Sequence, residues 1–236
     1  MMAEQDSTSR IALALDVPDL EAARRLIEQT REHIGVFKVG LELFTAVGPP
    51  AVEIVLNAGA KCFLDLKMHD IPATMGRSVA RAAAMGVDYL TVHGSAGTDA
   101  LDAANQAAGS MQLLAVTILT SLDEPSLRGI GFVDGPTPSA TRLARLAWDA
   151  GLRGFVTSAH ECASLRASLG DDAFLVIPGI RPTGAAADDQ RRVMTPAAAI
   201  TSGADMLVVG RPIRDATDVT AAASALALEV GLAFRP

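Results

Sequence analysis

The architecture is read from Lys61-Cys62-Phe63-Leu64-Asp65-Leu66-Lys67-Met68-His69-Asp70-Ile71-Pro72-Ala73-Thr74. An apolar run, Cys62 to Leu64, passes directly into three charges, Asp65, Lys67 and Asp70. Side chains alternate faces along a strand, so Asp65 and Lys67 share a face, roughly 6–7 Å apart along the chain. A carboxylate and an ammonium at the end of an apolar strand are costly to desolvate, so stability alone is a poor reason for placing them there. Pro72 suits the first turn of a helix, where its missing N–H is no loss. The stretch therefore reads as strand, charged loop and helix start. Charges at the carboxyl end of a parallel strand are where α/β enzymes keep their chemistry.

The same unit recurs in both directions. Upstream lie Ile11 to Val17 with Asp16 near its end, a helical pattern through Leu20, Ala23, Leu26 and Ile27, then Gly35 to Gly40 with Lys38 inside an apolar run. Gly48-Pro49-Pro50 opens the next helix, which stops at Gly59. Downstream, strand-like runs cover Tyr89–Gly94, Leu113–Leu119, Gly154–Ser158, Phe174–Ile180 and Met206–Gly210. Helical stretches lie between them, with a longer loop from Asp123 to Pro138, and the last helix spans about 217–230. Eight short apolar runs, each followed by a helix, give the period of a (β/α)8 TIM barrel. A doubly wound open sheet would more often have five to seven strands. With no composition break, the reading is a polar N-terminal leader over residues 1–10 and one barrel domain over 11–236.

Composition agrees. A chain of 236 residues fits one α/β barrel, and half the residues are hydrophobic while only 4% are aromatic. The core is then built from Ala, Val, Leu and Ile, as a parallel sheet under Ala-rich helices requires. A net charge of −7 and a pI near 5.1 give no basic footprint for nucleic acid or an anionic membrane. Positive charge for an anionic substrate must be local. Cys62 and Cys162 form neither a disulfide framework nor a metal spacing, and are expected to pack as small hydrophobes in a reducing cytoplasm. Residues 1–10 lack the apolar core of a signal peptide, and no apolar run approaches the 18 residues or so of a membrane span.

Polar groups gather at the carboxyl ends, Asp16, Asp65 and Lys67, His93, Thr120-Ser121, Arg181 and Arg211, with Lys38 carried within strand two. Gly179-Ile180-Arg181 and Gly210-Arg211, after strands seven and eight, read as phosphate contacts. A bare glycine backbone can approach an anion, and arginine grips phosphate through paired hydrogen bonds. The long polar segment 183–192 reads as either disordered or a mobile lid, and Gln190 within it could reach a ligand. His93 has two readings, base or hydrogen-bonded core residue, and His33, His69 and His160 make no cluster with it. No Cys/His/carboxylate set has ligand spacing, so no metal is expected.

The chain resembles the orotidine 5′-phosphate decarboxylase family from Asp16 through Arg211. The resemblance rests on Leu13-Ala14-Leu15-Asp16, Phe37-Lys38-Val39-Gly40, Phe63 to Thr74, Val116 to Ser121, Pro178-Gly179-Ile180-Arg181 and Val209-Gly210-Arg211. The Asp-x-Lys-x-x-Asp core is shared with sugar-phosphate relatives of the same barrel superfamily; the extension His69-Asp70-Ile71-Pro72 favours the decarboxylase. The resemblance implies cofactor-independent conversion of orotidine 5′-phosphate to UMP and CO2. Lys67 would protonate C6 beside Asp65, and Asp16 and Lys38 would bind the ribose. Thr120, with Ser158, would lie near the pyrimidine, while Arg181, Gln190, Gly210 and Arg211 would hold the phosphate. It further implies a homodimer in which Asp70 and Thr74 reach the neighbouring subunit's site. A metal-dependent enzyme acting on a sugar phosphate and a non-catalytic nucleotide-binding barrel are the alternatives.

Overall fold

A parallel strand buried on both faces must be apolar almost throughout, and it needs a covering helix before its neighbour can pair. The chain meets both conditions in order. A computed structural model describes residues 7–181 and 194–234. Eight parallel strands close in sequence order: β1 (Ile11–Ala14), β2 (Val36–Gly40), β3 (Lys61–Met68), β4 (Tyr89–His93), β5 (Gln112–Val116), β6 (Gly154–Val156), β7 (Phe174–Ile177) and β8 (Met206–Val209). The barrel shuts where β1 pairs with β8, Ala12 opposite Val208.

The covering helices are α1 (Leu20–Thr30), α2 (Leu41–Val47), α3 (Pro50–Asn57), α4 (Pro72–Ala84), α5 (Thr98–Ala107), α6 (Glu124–Gly129), α7 (Pro136–Asp149), α8 (Cys162–Leu169), α9 (Pro196–Thr201), α10 (Arg211–Arg214) and α11 (Val219–Ala233). Their starts follow local chemistry. Asp19 caps α1 by accepting from the Ala22 N–H at 2.8 Å, and Asp218 caps α11 through Ala221 at 2.9 Å. Pro72 occupies the first turn of α4 after Ile71 in extended conformation. Apolar stripes such as Ala23, Leu26 and Ile27 of α1 face the outside of the barrel.

Strand alternation divides the core in two. Outward residues such as Leu13, Phe37, Leu64 and Leu90 pack under the helices. Inward residues such as Ala12, Val36, Phe63, Tyr89, Val176 and Met206 fill the barrel itself. Tyr89 stacks on Phe174 with ring centroids 6.0 Å apart, and Phe63 meets Tyr89 edge-on at 6.2 Å. Both cysteines are buried and free, and burial pushes each thiol up to about 12, as expected of packing residues.

Four local expectations change. The stretch after Gly40 forms a further helix, α2, ahead of the one begun by the prolines. The loop 123–138 holds α6, capped by Asp123 accepting from the Ser126 N–H at 3.1 Å. Strand five ends at Val116, because Ile118 to Thr120 leave the ladder and fold over the barrel mouth. Strand three runs on through its charges to Met68. It does so irregularly: Leu64 pairs with Leu90 and Met68 with Val92, so the register shifts between them. Such a bulge re-aims side chains, here those of Asp65 and Lys67.

The polar stretch 1–10 enters the structure at Ser7, and the Thr8 carbonyl accepts from the Gly35 N–H at 2.9 Å. Among the described residues no helix is long and apolar enough to cross a membrane.

Candidate active site

Inward positions at the carboxyl ends of the strands bring the charged residues together. Lys38, from the middle of β2, places its Nζ 3.3 Å from Asp16 Oδ1 and 3.3 Å from Asp65 Oδ2. Lys67 Nζ donates to Asp65 Oδ1 at 2.8 Å and Oδ2 at 3.0 Å. The result is a row of alternating charge, Asp16, Lys38, Asp65, Lys67. The two ends of the row are the more exposed, the Asp16 side chain at 40% and Lys67 at 31%, against 11% for Lys38 and Asp65 between them.

Local backbone explains how the row is compressed. Lys67 has φ of +49°, the left-handed region, and is the one non-glycine residue recorded with positive φ among those described. Its backbone N–H leaves the regular ladder and donates to Thr91 Oγ1 at 2.9 Å. Thr91 Oγ1 in turn donates to Asp65 Oδ1 at 2.9 Å. Gly40, at the end of β2, lies so close to the row that a Cβ there would stand 2.9 Å from Asp16 Oδ1 and 3.0 Å from Lys38 Nζ.

Electrostatics fix the charge states. Burial alone would push the Asp65 carboxyl up, but Lys38 and Lys67, with hydrogen bonds from Lys67 and Thr91, bring it below the usual carboxylate value. Burial likewise opposes the Lys38 charge, and Asp65 and Asp16 outweigh it, raising its pKa above the ordinary lysine value. His93 is shifted down by burial, with further lowering from its charge interactions with His69 and Lys67 against an opposing pull from Asp65; its ring meets that of His69 edge-on at 5.7 Å.

The row forms one wall of a cavity of about 430 Å³, a size suited to a small organic ligand. Phe63 is part of its lining, and Val116, Ile118, Leu119 and Val156 give it an apolar side. Gly179 and Arg181 after β7, with Gly210, Arg211 and Arg214 after β8, give it a cationic one. Gly179 has φ of +79°, a conformation that favours glycine. The Arg181 backbone N–H donates to the Met194 carbonyl at 3.0 Å, which fixes the strand-seven loop.

Asp16, Lys38, Asp65, Lys67, Thr120, Arg181, Gly210 and Arg211 thus line a single cavity. Asp70 and Thr74 are outside its lining: Asp70 is exposed and accepts from the Ile71 N–H at 2.7 Å. Ser158 is buried and absent from the lining, its N–H donating to Glu161 at 2.9 Å, while its neighbour Thr157 takes a lining position. Gln190 and the segment 183–192 lie outside the described residues. Among the described residues no group of three His, Cys, Asp or Glu side chains could hold a metal ion.

Thr91, Thr157 and Arg214 were not singled out by sequence. Arg214 lines the cavity, and its guanidinium donates to the Asp16 carbonyl at 2.9 Å and to Asp215. Its signal was the three-residue spacing from Arg211, which puts both on one turn of helix. The signal for Thr91 was its inward parity with His93.

A closed (β/α)8 barrel whose mouth carries paired carboxylates and lysines opposite arginine loops is built as an enzyme site for an anionic small molecule. Its kinship is closer than that class. The orotidine 5′-phosphate decarboxylase / HUMPS family model matches residues 9–226, and the chain belongs to that family. It is 49% identical over 221 residues to the orotidine 5′-phosphate decarboxylase of Anaeromyxobacter sp. (strain K), covering 93% of this chain and 97% of that one. With the enzyme of the same name from Thermobifida fusca it shares 48% identity, over 93% of this chain and 95% of the other. The crystal structure of orotidine 5′-phosphate decarboxylase from Lactobacillus acidophilus superposes with a TM-score of 0.82 at 33% identity, over 93% of this chain and 98% of that one.

Proposed function

We propose that the chain decarboxylates orotidine 5′-phosphate to UMP and CO2, the last step of de novo pyrimidine biosynthesis, with Lys67 as the proton donor. The observation that carries this reading is the Asp65–Lys67 pair, 2.8 Å apart in the cavity wall, in a chain of this family. When the bond from C6 to its carboxylate breaks, the electron pair stays on C6 in the plane of the ring. That pair cannot spread into the ring's π system, so a fixed cation beside it is the available stabilisation. The Lys67 ammonium supplies that field and then the proton, leaving UMP and a neutral lysine that regains its proton from water. Asp65, held ionised, sets the position of the ammonium and lies beside the departing carboxylate.

The remaining roles follow the polarity of the cavity. Asp16 and Lys38 bind the ribose hydroxyls, and Thr120 approaches the pyrimidine along the apolar side. Arg181, Gly210 and Arg211 hold the phosphate, joined by Gln190. Binding energy from phosphate, remote from C6, is available to organise the reacting end. Asp70 and Thr74 serve the site of a second copy in a homodimer; the exposed Asp70 and the 68% exposed Ile71 beside it support this.

The test is the fall in absorbance as orotidine 5′-phosphate is consumed in the presence of EDTA, for the wild type and Lys67→Ala. Turnover by the wild type and none by Lys67→Ala, with UMP still bound in a calorimetric titration, is the expected result. A wild type that binds UMP without turnover would make the chain a nucleotide-binding barrel. Loss of activity in EDTA would favour metal-assisted chemistry on a sugar phosphate, and CO2 release at the wild-type rate by Lys67→Ala would remove the lysine's role.

A further inference from the structure

We propose that Thr91 is a positioning residue: its hydroxyl, without touching the ligand, locks Lys67 and Asp65 into their reactive arrangement. This rests on the decarboxylase reading of the site. Three contacts close a ring. The Lys67 backbone N–H donates to Thr91 Oγ1 at 2.9 Å, Thr91 Oγ1 donates to Asp65 Oδ1 at 2.9 Å, and the same oxygen receives the Lys67 ammonium at 2.8 Å. The ring begins and ends on Lys67, so one hydroxyl ties the residue's backbone to the ion pair made by its own side chain.

The surroundings explain why a tie is needed. A lysine at φ +49° does not hold that conformation by its own preference. The register shift between Leu64 and Met68 takes residues 65–67 off the regular β3–β4 ladder. On the facing strand, Leu90 and Val92 keep their ladder partners, and Thr91 lies between them. Its hydroxyl replaces the ladder bond that Lys67 has lost. Thr91 is 1% exposed and does not line the cavity, so it acts through its two partners. Threonine is common in strands for its shape alone; that shape would be served equally by valine, which cannot make either bond.

Thr91→Val keeps the branched shape and strand preference and removes only the hydroxyl. The Lys67 N–H is then left without its acceptor and Asp65 without one of its donors. The expected effect is a fall in kcat of roughly tenfold to a hundredfold, as for a lost hydrogen bond to a charged group. UMP affinity should stay within about twofold, because the phosphate and ribose contacts lie on other strands. Thr91→Ser, which restores the hydroxyl, should recover most of the rate, and a folded Thr91→Ala should behave as the valine variant does. Wild-type kcat in Thr91→Val would overturn the inference. So would equal impairment of the serine and valine variants, or UMP affinity falling in step with kcat. If the wild type itself releases no CO2, the decarboxylase reading fails first and the inference goes with it.

Discussion

Gly40→Ala separates what the fold needs from what the site needs. Gly40 has φ of −93° and ψ of −177°, a conformation open to alanine, so the substitution adds a methyl group without backbone strain. Relief of unfolded-state entropy alone would make it mildly stabilising, by about 0.4–1 kcal/mol. The added Cβ, however, would stand 2.9 Å from Asp16 Oδ1 and 3.0 Å from Lys38 Nζ. Both are ends of flexible side chains and can retreat by about half an ångström. The Lys38 ammonium now sits 3.3 Å from Asp16 and 3.3 Å from Asp65. Lengthening each separation to about 3.8 Å at an effective dielectric constant near 20 weakens each attraction from about 5 to about 4.4 kcal/mol. Two such losses come to about 1.3 kcal/mol, or roughly tenfold in kcat/KM if the row must be intact in the transition state. Melting temperature should change by no more than about 3 °C. Steady-state kinetics and calorimetry on Gly40→Ala test this, with Gly129→Ala as control, since a Cβ at Gly129 meets nothing within 4 Å. Unchanged kcat/KM, or a large fall in melting temperature with unchanged kinetics, would refute the reasoning.

Two further outcomes are expected. If Asp70 completes the site of a second copy, activity per chain should fall on dilution as the dimer separates, and mixing Asp70→Ala with Lys67→Ala subunits should restore some activity; strictly proportional activity at all concentrations would count against it. In acid, His93 contributes a loss of stability with a definite sign. Its folded pKa is depressed by burial, His69 and Lys67, against a raising influence from Asp65. Its stabilising contribution is therefore complete above the unfolded value of about 6.5 and is lost as pH falls through the lower folded value. Asp65 acts in the same direction further down, below about 3.9. As pH is lowered below about 6.5, melting temperatures of the wild type should fall more than those of His93→Asn, and parallel profiles would exclude the histidine.

The barrel was legible because its rule is repetitive: an apolar run, a polar carboxyl end and a helix, eight times over. The charged row was legible for the same reason, since Asp16, Lys38, Asp65 and Lys67 all fall at the ends of apolar runs or within them. What stayed hidden was geometry within an element. The sequence shows Lys67 two residues after Asp65, but the positive φ and the register shift arise from pairing with β4. Thr91 carries no mark, because a threonine in a strand is ordinary until the facing strand breaks register. The helix α2 was missed because Leu41–Val47 directly follows a strand, with a glycine in place of a side-chain cap. Asp70 shows the converse: its spacing associates it with Lys67, while the fold of one chain turns it outward.

The aromatic packing of Phe63, Tyr89 and Phe174 has a kinetic consequence. Phe63 lines the cavity, Tyr89 meets it edge-on and Phe174 stacks on Tyr89, so among the described residues aromatic rings fill the barrel interior next to the site. A cavity of about 430 Å³ seats one nucleotide at a time, so UMP must vacate it before another substrate is bound. Product and substrate therefore exclude one another, and competitive inhibition by UMP is the expected outcome in steady-state kinetics.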